Sequence, residues 1–216
     1  MQDQAEGGSS VADRIAWALS ERIVTGVLAP GMPVRQDHIA AEFRASHVPV
    51  REAFRKLEAQ GLLVSEPRRG VKVAPLDPLT VLEVTEMRAA LEVLALRYAF
   101  PQLGREALEA ASRALEEGEA SNEILIWERA NRHFHQAITA PCGMPRLMGT
   151  IDSLHQTSAR FLFSTWRELA WQSRSDSEHR QILTSLIDGK LDQATDALRA
   201  HILDAGKALA KRLQSV

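Results

Sequence analysis

The 216-residue chain has a single cysteine, Cys142. That excludes an intrachain disulfide and any cysteine-rich zinc site, and leaves Cys142 as a small buried hydrophobe or an incidental thiol. No apolar run approaches the roughly 20 residues that cross a bilayer. No charged, apolar and small-residue leader opens the chain either, so a cytoplasmic protein without membrane contact is expected. Net charge is also scarce, at −2, so attraction to a polyanion must rest on a local surplus of cations. Beyond the first third, neither a strand-like alternation nor an internal repeat is found. What is present is an ordinary globular composition, 45% hydrophobic and 25% charged. The length allows one large or two modest cores, and we read two domains.

Met1 to Ser10 is polar and contains Gly7-Gly8-Ser9-Ser10, which predicts a disordered arm over residues 1–10. A helix follows from Val11 to Thr25, with Ile15, Leu19 and Ile23 inward and Trp17 a further inward candidate; Gly26 ends it. Pro30-Gly31-Met32-Pro33 forces a turn before a short helix from Gln36 to Phe43. The segment His47 to Gln60 places Val50, Phe54 and Leu57 on one helical face, with Ser46 as its N-cap and Gly61 at its C-terminal end. Arg51, Arg55 and Lys56 turn mostly away from that stripe. Leu62 to Val64 and Val71 to Val73 are short β-prone runs around Glu66-Pro67-Arg68-Arg69-Gly70, a hairpin with two arginines at its tip. Two helices and a basic hairpin make a winged helix-turn-helix over residues 11–76, whose second helix enters the DNA major groove. From Arg44 to Lys72 seven Lys or Arg face three acids, the cation surplus that phosphate contacts need. On charge alone, a solvated amphipathic helix beside an ordinary hairpin accounts for this equally well.

Gly26, Pro30-Gly31, Val34, Ile39-Ala40, Phe43, Ser46, Pro49-Val50-Arg51-Glu52-Ala53, Leu57-Glu58, Gly61-Leu62 and Arg69-Gly70 together resemble the DNA-binding domain of GntR-type bacterial transcription regulators. The resemblance implies that Arg51 and the other basic residues of the recognition helix contact DNA. The resulting set is Arg35, Ser46, His47, Arg51, Arg55, Arg68, Arg69 and Gly70. Two positions depart from the family pattern. His47 stands where the family usually has Arg, and Ala45 where it usually has Val. A histidine donates fewer hydrogen bonds than an arginine, so operator sequence or affinity is expected to differ.

Pro75-Leu76-Asp77-Pro78 reads as a stiff linker, and residues 77–216 as an all-α domain. Six helices are expected: Leu79 to Phe100, Gly104 to Glu119, Ser121 to Ala140, Met144 to Leu169, Ser177 to Ile187 and Leu191 to Leu213. In the first, Val84, Met87, Leu91, Leu94 and Tyr98 form the expected inward stripe. The fold class is therefore mostly α, a winged helix-turn-helix followed by a six-helix bundle. Asn131 and His135 share a helix face, and His179 and His201 lie on two further helices. Three imidazoles on three inward faces can meet around a divalent metal, although a lone histidine on an apolar face is more often a core or capping residue. His155 is either an additional pocket contact or an unrelated core residue. Arg88 is either half of a salt bridge to Glu92 or a pocket arginine able to grip a carboxylate.

Met87-Arg88 to Glu92, Asn131-x-x-Phe134-His135, Glu178-His179 with Ile182-Leu183, and Ala194 to His201 resemble the FCD effector domain of the FadR subfamily, and six helices resemble its VanR-type branch. The resemblance implies a divalent ion, zinc or nickel foremost, on Asn131, His135, His179 and His201, with Arg88 pairing a small carboxylate effector. Asn131 replaces the usual Asp and is a neutral, weaker ligand. The whole then reads as a homodimeric regulator, by default a repressor, that binds double-stranded operator DNA under effector control. Two alternatives stay open: a regulator whose effector is the ion itself, and a metal-dependent hydrolase in which the three histidines activate water. The hydrolase lacks a convincing general base, since the direction of Glu178 is not fixed by the sequence.

Overall fold

A computed structural model describes residues 10–165 and 171–214, without the side chains of residues 165 and 171–174. The arm expected over residues 1–10 lies outside this range except for Ser10, which caps the first helix. Its hydroxyl accepts from the Asp13 amide at 3.1 Å, and the Asp13 carboxylate accepts from the Ser10 amide at 3.1 Å. That reciprocal pair satisfies two of the amides every helix start leaves without partners. The chain divides into two compact units, Met1–Leu76 and Asp77–Val216.

The first unit contains α1 (Val11–Val24), α2 (Gln36–Glu42), α3 (His47–Ala59) and a three-stranded antiparallel sheet of β1 (Pro33–Val34), β2 (Leu63–Glu66) and β3 (Gly70–Val73) in the order β1-β3-β2. Its core gathers Ile15, Leu19 and Ile23 from α1, Val50, Phe54 and Leu57 from α3, and Leu62, Leu63 and Val73 from the hairpin. Trp17 is 68% exposed, contrary to the inward placement considered for it. Two residues along a helix turn a side chain about 200°, so Trp17 faces away from Ile15 and Leu19. The strand β1 was not expected. Pro33 pairs opposite Lys72 and Val34 opposite Val71, and the missing Pro33 amide costs nothing on an edge strand.

The second unit holds six α-helices among the described residues: α4 (Pro78–Ala99), α5 (Arg105–Glu119), α6 (Ile124–Thr139), α7 (Pro145–Thr165), α8 (Trp171–Ile187) and α9 (Leu191–Leu213). Asp77 caps α4, accepting from the amides of Leu79 and Thr80, and Pro78 sits in the first turn, where its missing amide is harmless. The helix α8 starts six residues before the expected Ser177. Its serine-rich first turns look like a loop, but Ser175 is buried, and packing outweighs weak helix propensity. The expected stripe of α4 is also corrected. Val84 is buried, but Met87 and Leu94 are each 42% and Tyr98 53% exposed. The inward face instead carries Val81, Thr85, Ala89, Glu92, Ala95, Leu96 and Ala99.

Small residues on that face let α9 approach closely. A Cβ built on Gly206 of α9 would lie 2.1 Å from Thr85 Oγ1 and 2.6 Å from Thr85 Cβ, closer than side chains approach one another. Gly206→Ala is expected to push α4 and α9 apart and to cost about 1–3 kcal/mol, read as a lower midpoint in chemical denaturation. An unchanged midpoint would mean that the two helices do not cross at this separation.

Candidate metal centre and DNA-reading face

Five helices of the second unit converge on one cluster. Arg88 and Glu92 come from α4, Asn131 and His135 from α6, His155 from α7, Glu178 and His179 from α8, and His201 from α9. One ligand nitrogen from each of His135, His179 and His201 lies within 4.8 Å of the other two, and all three residues are buried. The Nε2 atoms of His179 and His135 are 3.4 Å apart. The His179 ring centroid lies 4.5 Å from that of His201, and His135 and His201 stack at 5.4 Å.

Burial pushes all four clustered imidazoles, His135, His155, His179 and His201, below their ordinary pKa of 6.5, and His179 well below it, where the neighbouring His201 and His135 add to the effect. They are neutral near pH 7, the protonation state a metal requires. Three neutral nitrogens at this separation fit a divalent ion with open positions for further ligands. Asn131, expected as the fourth ligand, lines the same cavity as His135, His201 and Arg88. Its amide oxygen is the right chemistry for a hard or borderline cation, though a weak donor.

Glu92 was read from sequence only as a salt-bridge partner of Arg88, and the structure gives it more to do. It is fully buried. Its Oε1 accepts from Arg88 Nε at 2.9 Å and lies 3.1 Å from His155 Nε2, while its Oε2 lies 2.6 Å from His135 Nδ1. Burial alone would raise its pKa, but Arg88, His135 and His155 more than offset this and hold it well below the usual carboxylate range. The Arg88–Glu92 pair read from the sequence is present, and it does not take Arg88 out of the cavity. Its Nε is engaged by Glu92, its Nη2 lies 3.2 Å from His155 Nε2, and the side chain still lines the cavity. His155, left open above, is buried and lines that cavity too. Glu178 turns toward His201, with Oε2 2.7 Å from Nδ1, so it is occupied where a hydrolase would need a free base.

The cavity, of about 70 Å³, is walled on its apolar side by Trp127, Leu162, Ile202 and Leu209. The sequence offers Trp166 and Trp171, beside Arg167 and Arg174, either for the cavity mouth or for a helix junction; Trp166 and Arg167, with the side chains of Trp171 and Arg174, lie outside the described residues.

In the first unit every residue of the candidate DNA set, Arg35, Ser46, His47, Arg51, Arg55, Arg68, Arg69 and Gly70, is exposed. Ser46 occupies the N-cap position of α3 but makes no capping bond, so its hydroxyl is not consumed by the helix. His47 Nε2 lies 3.8 Å from Asp37 Oδ1. Lys56, on the same helix, is tied to Asp13 of α1, whereas Arg51 and Arg55 make no ion pair among the described residues. At the wing tip Arg68 has φ +66° and Gly70 φ +86°, a pair of left-handed residues that closes the three-residue loop and exposes both arginines.

Comparison with known proteins agrees with both halves. The family described as "Bacterial regulatory proteins, gntR family" matches residues 11–73, and the FCD domain matches residues 83–204, over half of the chain. The Nta operon transcriptional regulator of Aminobacter aminovorans is 29% identical over 177 residues, 80% of this chain and 82% of that protein. The HTH-type transcriptional repressor GlaR of Escherichia coli is 25% identical across 88% and 91%. A crystal structure of a GntR-family transcriptional regulator from Pseudomonas syringae superposes with a TM-score of 0.61 at 32% identity, over 95% of this chain and 86% of that one.

The four depressed histidines make stability depend on pH. Below the ordinary value of 6.5 the unfolded chain binds protons that the folded chain refuses, so their stabilising contribution is present above that pH and is lost as pH falls. In chelator-treated protein, Tm is expected to drop steadily between pH 7.5 and 5.5. A flat profile would mean that these imidazoles take up protons without disturbing the bundle.

Proposed function

We propose how a chain that belongs to the gntR family of bacterial regulatory proteins, and carries an FCD domain, couples its two halves. The protein is a DNA-binding transcription regulator, and its relatives are regulators rather than enzymes. In our reading it is a cytoplasmic homodimeric repressor, released from its operator by a small carboxylate bound beside a divalent metal. The observation that carries this is the convergence of three neutral histidines and one arginine on a single cavity.

His135, His179 and His201, with Asn131 beside them, would hold the ion, zinc or nickel by ligand type. A bound ion supplies a Lewis-acidic seat for one carboxylate oxygen. Arg88 orients the acid from the other side, since a guanidinium matches a carboxylate in shape and charge. Trp127, Leu162 and Leu209 exclude water and accept the acid's apolar part. A cavity of about 70 Å³ has room for roughly five waters by the volume one water needs, so the acid has few non-hydrogen atoms.

One winged helix reads only a short half-site, so usable specificity calls for two copies on a pseudo-palindrome. Arg51 and Arg55 on α3 serve the major groove, while Arg68 and Arg69 at the wing tip serve the flanking backbone or minor groove. The effector moves the equilibrium only as far as its affinities for the two dimer arrangements differ.

The test is fluorescence anisotropy with DNA from the protein's own promoter region, titrated with small carboxylates before and after chelation. One acid should release the operator only when metal is present, and Arg88→Lys, which keeps a cation beside the buried Glu92 but loses the planar fork, should weaken release while leaving DNA affinity intact. Arg51→Ala should lower operator affinity about tenfold or more, as loss of a bidentate base contact does. Absence of specific DNA binding at low and physiological salt would sink the reading. Release by metal alone, undiminished in Arg88→Lys, would make the ion the effector.

A further inference from the structure

Two of the three clustered histidines have the same arrangement behind them. The Nδ1 of His135 lies 2.6 Å from a carboxylate oxygen of Glu92, and the Nδ1 of His201 lies 2.7 Å from one of Glu178. An ionised carboxylate only accepts, so in each pair the imidazole nitrogen must carry the proton and donate it. A neutral imidazole has one N–H. Fixing it on Nδ1 leaves the lone pair on Nε2, and in His135 that Nε2 is the atom 3.4 Å from His179 Nε2.

We propose that Glu92 and Glu178 are positioning residues of the metal centre, which fix His135 and His201 as Nδ1–H tautomers with their Nε2 lone pairs turned toward the ion. The proposal deepens the metal reading above and rests on it. Without a carboxylate behind it, each imidazole is free to place its proton on Nε2, where it blocks ligation, or to turn its ring away. The carboxylate also makes the ligating nitrogen more basic, as outer partners of metal-bound histidines do.

The two carboxylates are not equivalent. Glu178 is partly exposed on the cavity wall, with 27% of its side chain accessible, and serves His201. Glu92 has no exposure and is shared, its Oε2 on His135 and its Oε1 on Arg88 and His155. One buried carboxylate thus joins the arginine that faces the cavity to the histidine that faces the ion.

The experiment uses the full chain and two readouts. Zinc affinity is measured by competition with a chelator for wild type, Glu178→Gln and Glu92→Gln, and imidazole tautomers are read from long-range proton–nitrogen-15 NMR correlations in metal-free wild type. We expect His135 and His201 to be Nδ1–H tautomers before any metal is added. Zinc binding should weaken about ten- to hundredfold in each variant, the usual loss when such an outer partner is changed. Glu178→Gln should keep a Tm near wild type, because the side chain is 27% accessible and glutamine keeps its shape and an acceptor oxygen. Glu92→Gln strands Arg88, so Glu92→Gln with Arg88→Met, which removes both charges, is the check should the single variant fail to fold. Folded variants that bind zinc as tightly as wild type would overturn the proposal, and so would Nε2–H tautomers in the metal-free chain. If wild type binds neither zinc nor nickel, the metal reading of the preceding subsection falls, while the tautomers still decide whether the carboxylates orient the two rings.

Discussion

The interaction on which the second unit depends is the one between Glu92 and its three partners. A carboxylate with no exposure pays a desolvation cost of several kcal/mol, which only well-placed partners offset. Here Arg88 comes from the same helix one turn away, but His135 and His155 come from α6 and α7. Those two helices are therefore held against α4 at one axial position, because a shift of α6 would take the His135 donor from a buried charge and a shift of α7 would part His155 from Arg88 and Glu92. The imidazole of His135 is turned toward His179 and His201 by the same bond. Packing around Phe134, Ile182 and Leu198 stabilises the bundle, while the polar cluster fixes which residues face which.

This arrangement explains what the sequence disclosed and what it hid. The recognition helix was legible because Val50, Phe54 and Leu57 repeat on one face against a charged background, and the wing because Pro67 to Gly70 is turn chemistry between β-prone runs. The helix α4 was legible as a helix but not in its orientation. It is apolar almost all round, so Met87, Leu94 and Tyr98 made as good a periodic stripe as Val81, Ala89 and Ala95. The choice is made by Gly206, which allows α9 to sit against Thr85, and nothing local to α4 records that. Glu92 was read only in part for a related reason. Four residues after Arg88 it has the spacing of a surface ion pair, and its burial comes from α6 and α7. The histidines were findable as a group only because three of them fell on separate predicted helices. That they meet depends on crossings that no spacing encodes.

The DNA-reading unit shows a different economy. Arg44, which follows α2, and Arg68 at the wing tip both adopt left-handed backbone, with φ +48° and +66°. Glycine would take these positions more easily, since the left-handed region costs other L-residues roughly 1–2 kcal/mol. At Arg68 the reason is visible in the loop itself, where a three-residue connection needs a left-handed residue and the tip needs a cation. The ion pairs of this unit use other cations. Lys56 with Asp13 and Arg22 with Glu42 tie α3 and α2 to α1, while Arg51, Arg55 and Arg68 are left without ion pairs among the described residues. Cations are thus divided between those that hold the helices together and those that face outward.

In the proposed switch, the commitment of Arg88 to Glu92 makes the metal a precondition for the effector rather than an accessory. Arg88, Glu128 and Glu178 line the cavity, and Glu92 stands directly behind Arg88. The buried carboxylate of Glu92 already answers part of the Arg88 charge before an acid arrives. A divalent ion would add positive charge where the acid's oxygen must sit. Arg88 cannot do this alone, because its Nε is already committed to Glu92. Binding of ion and acid becomes linked through charge as well as through shared ligands, and by reciprocity an acid that needs the ion also tightens the protein's hold on it.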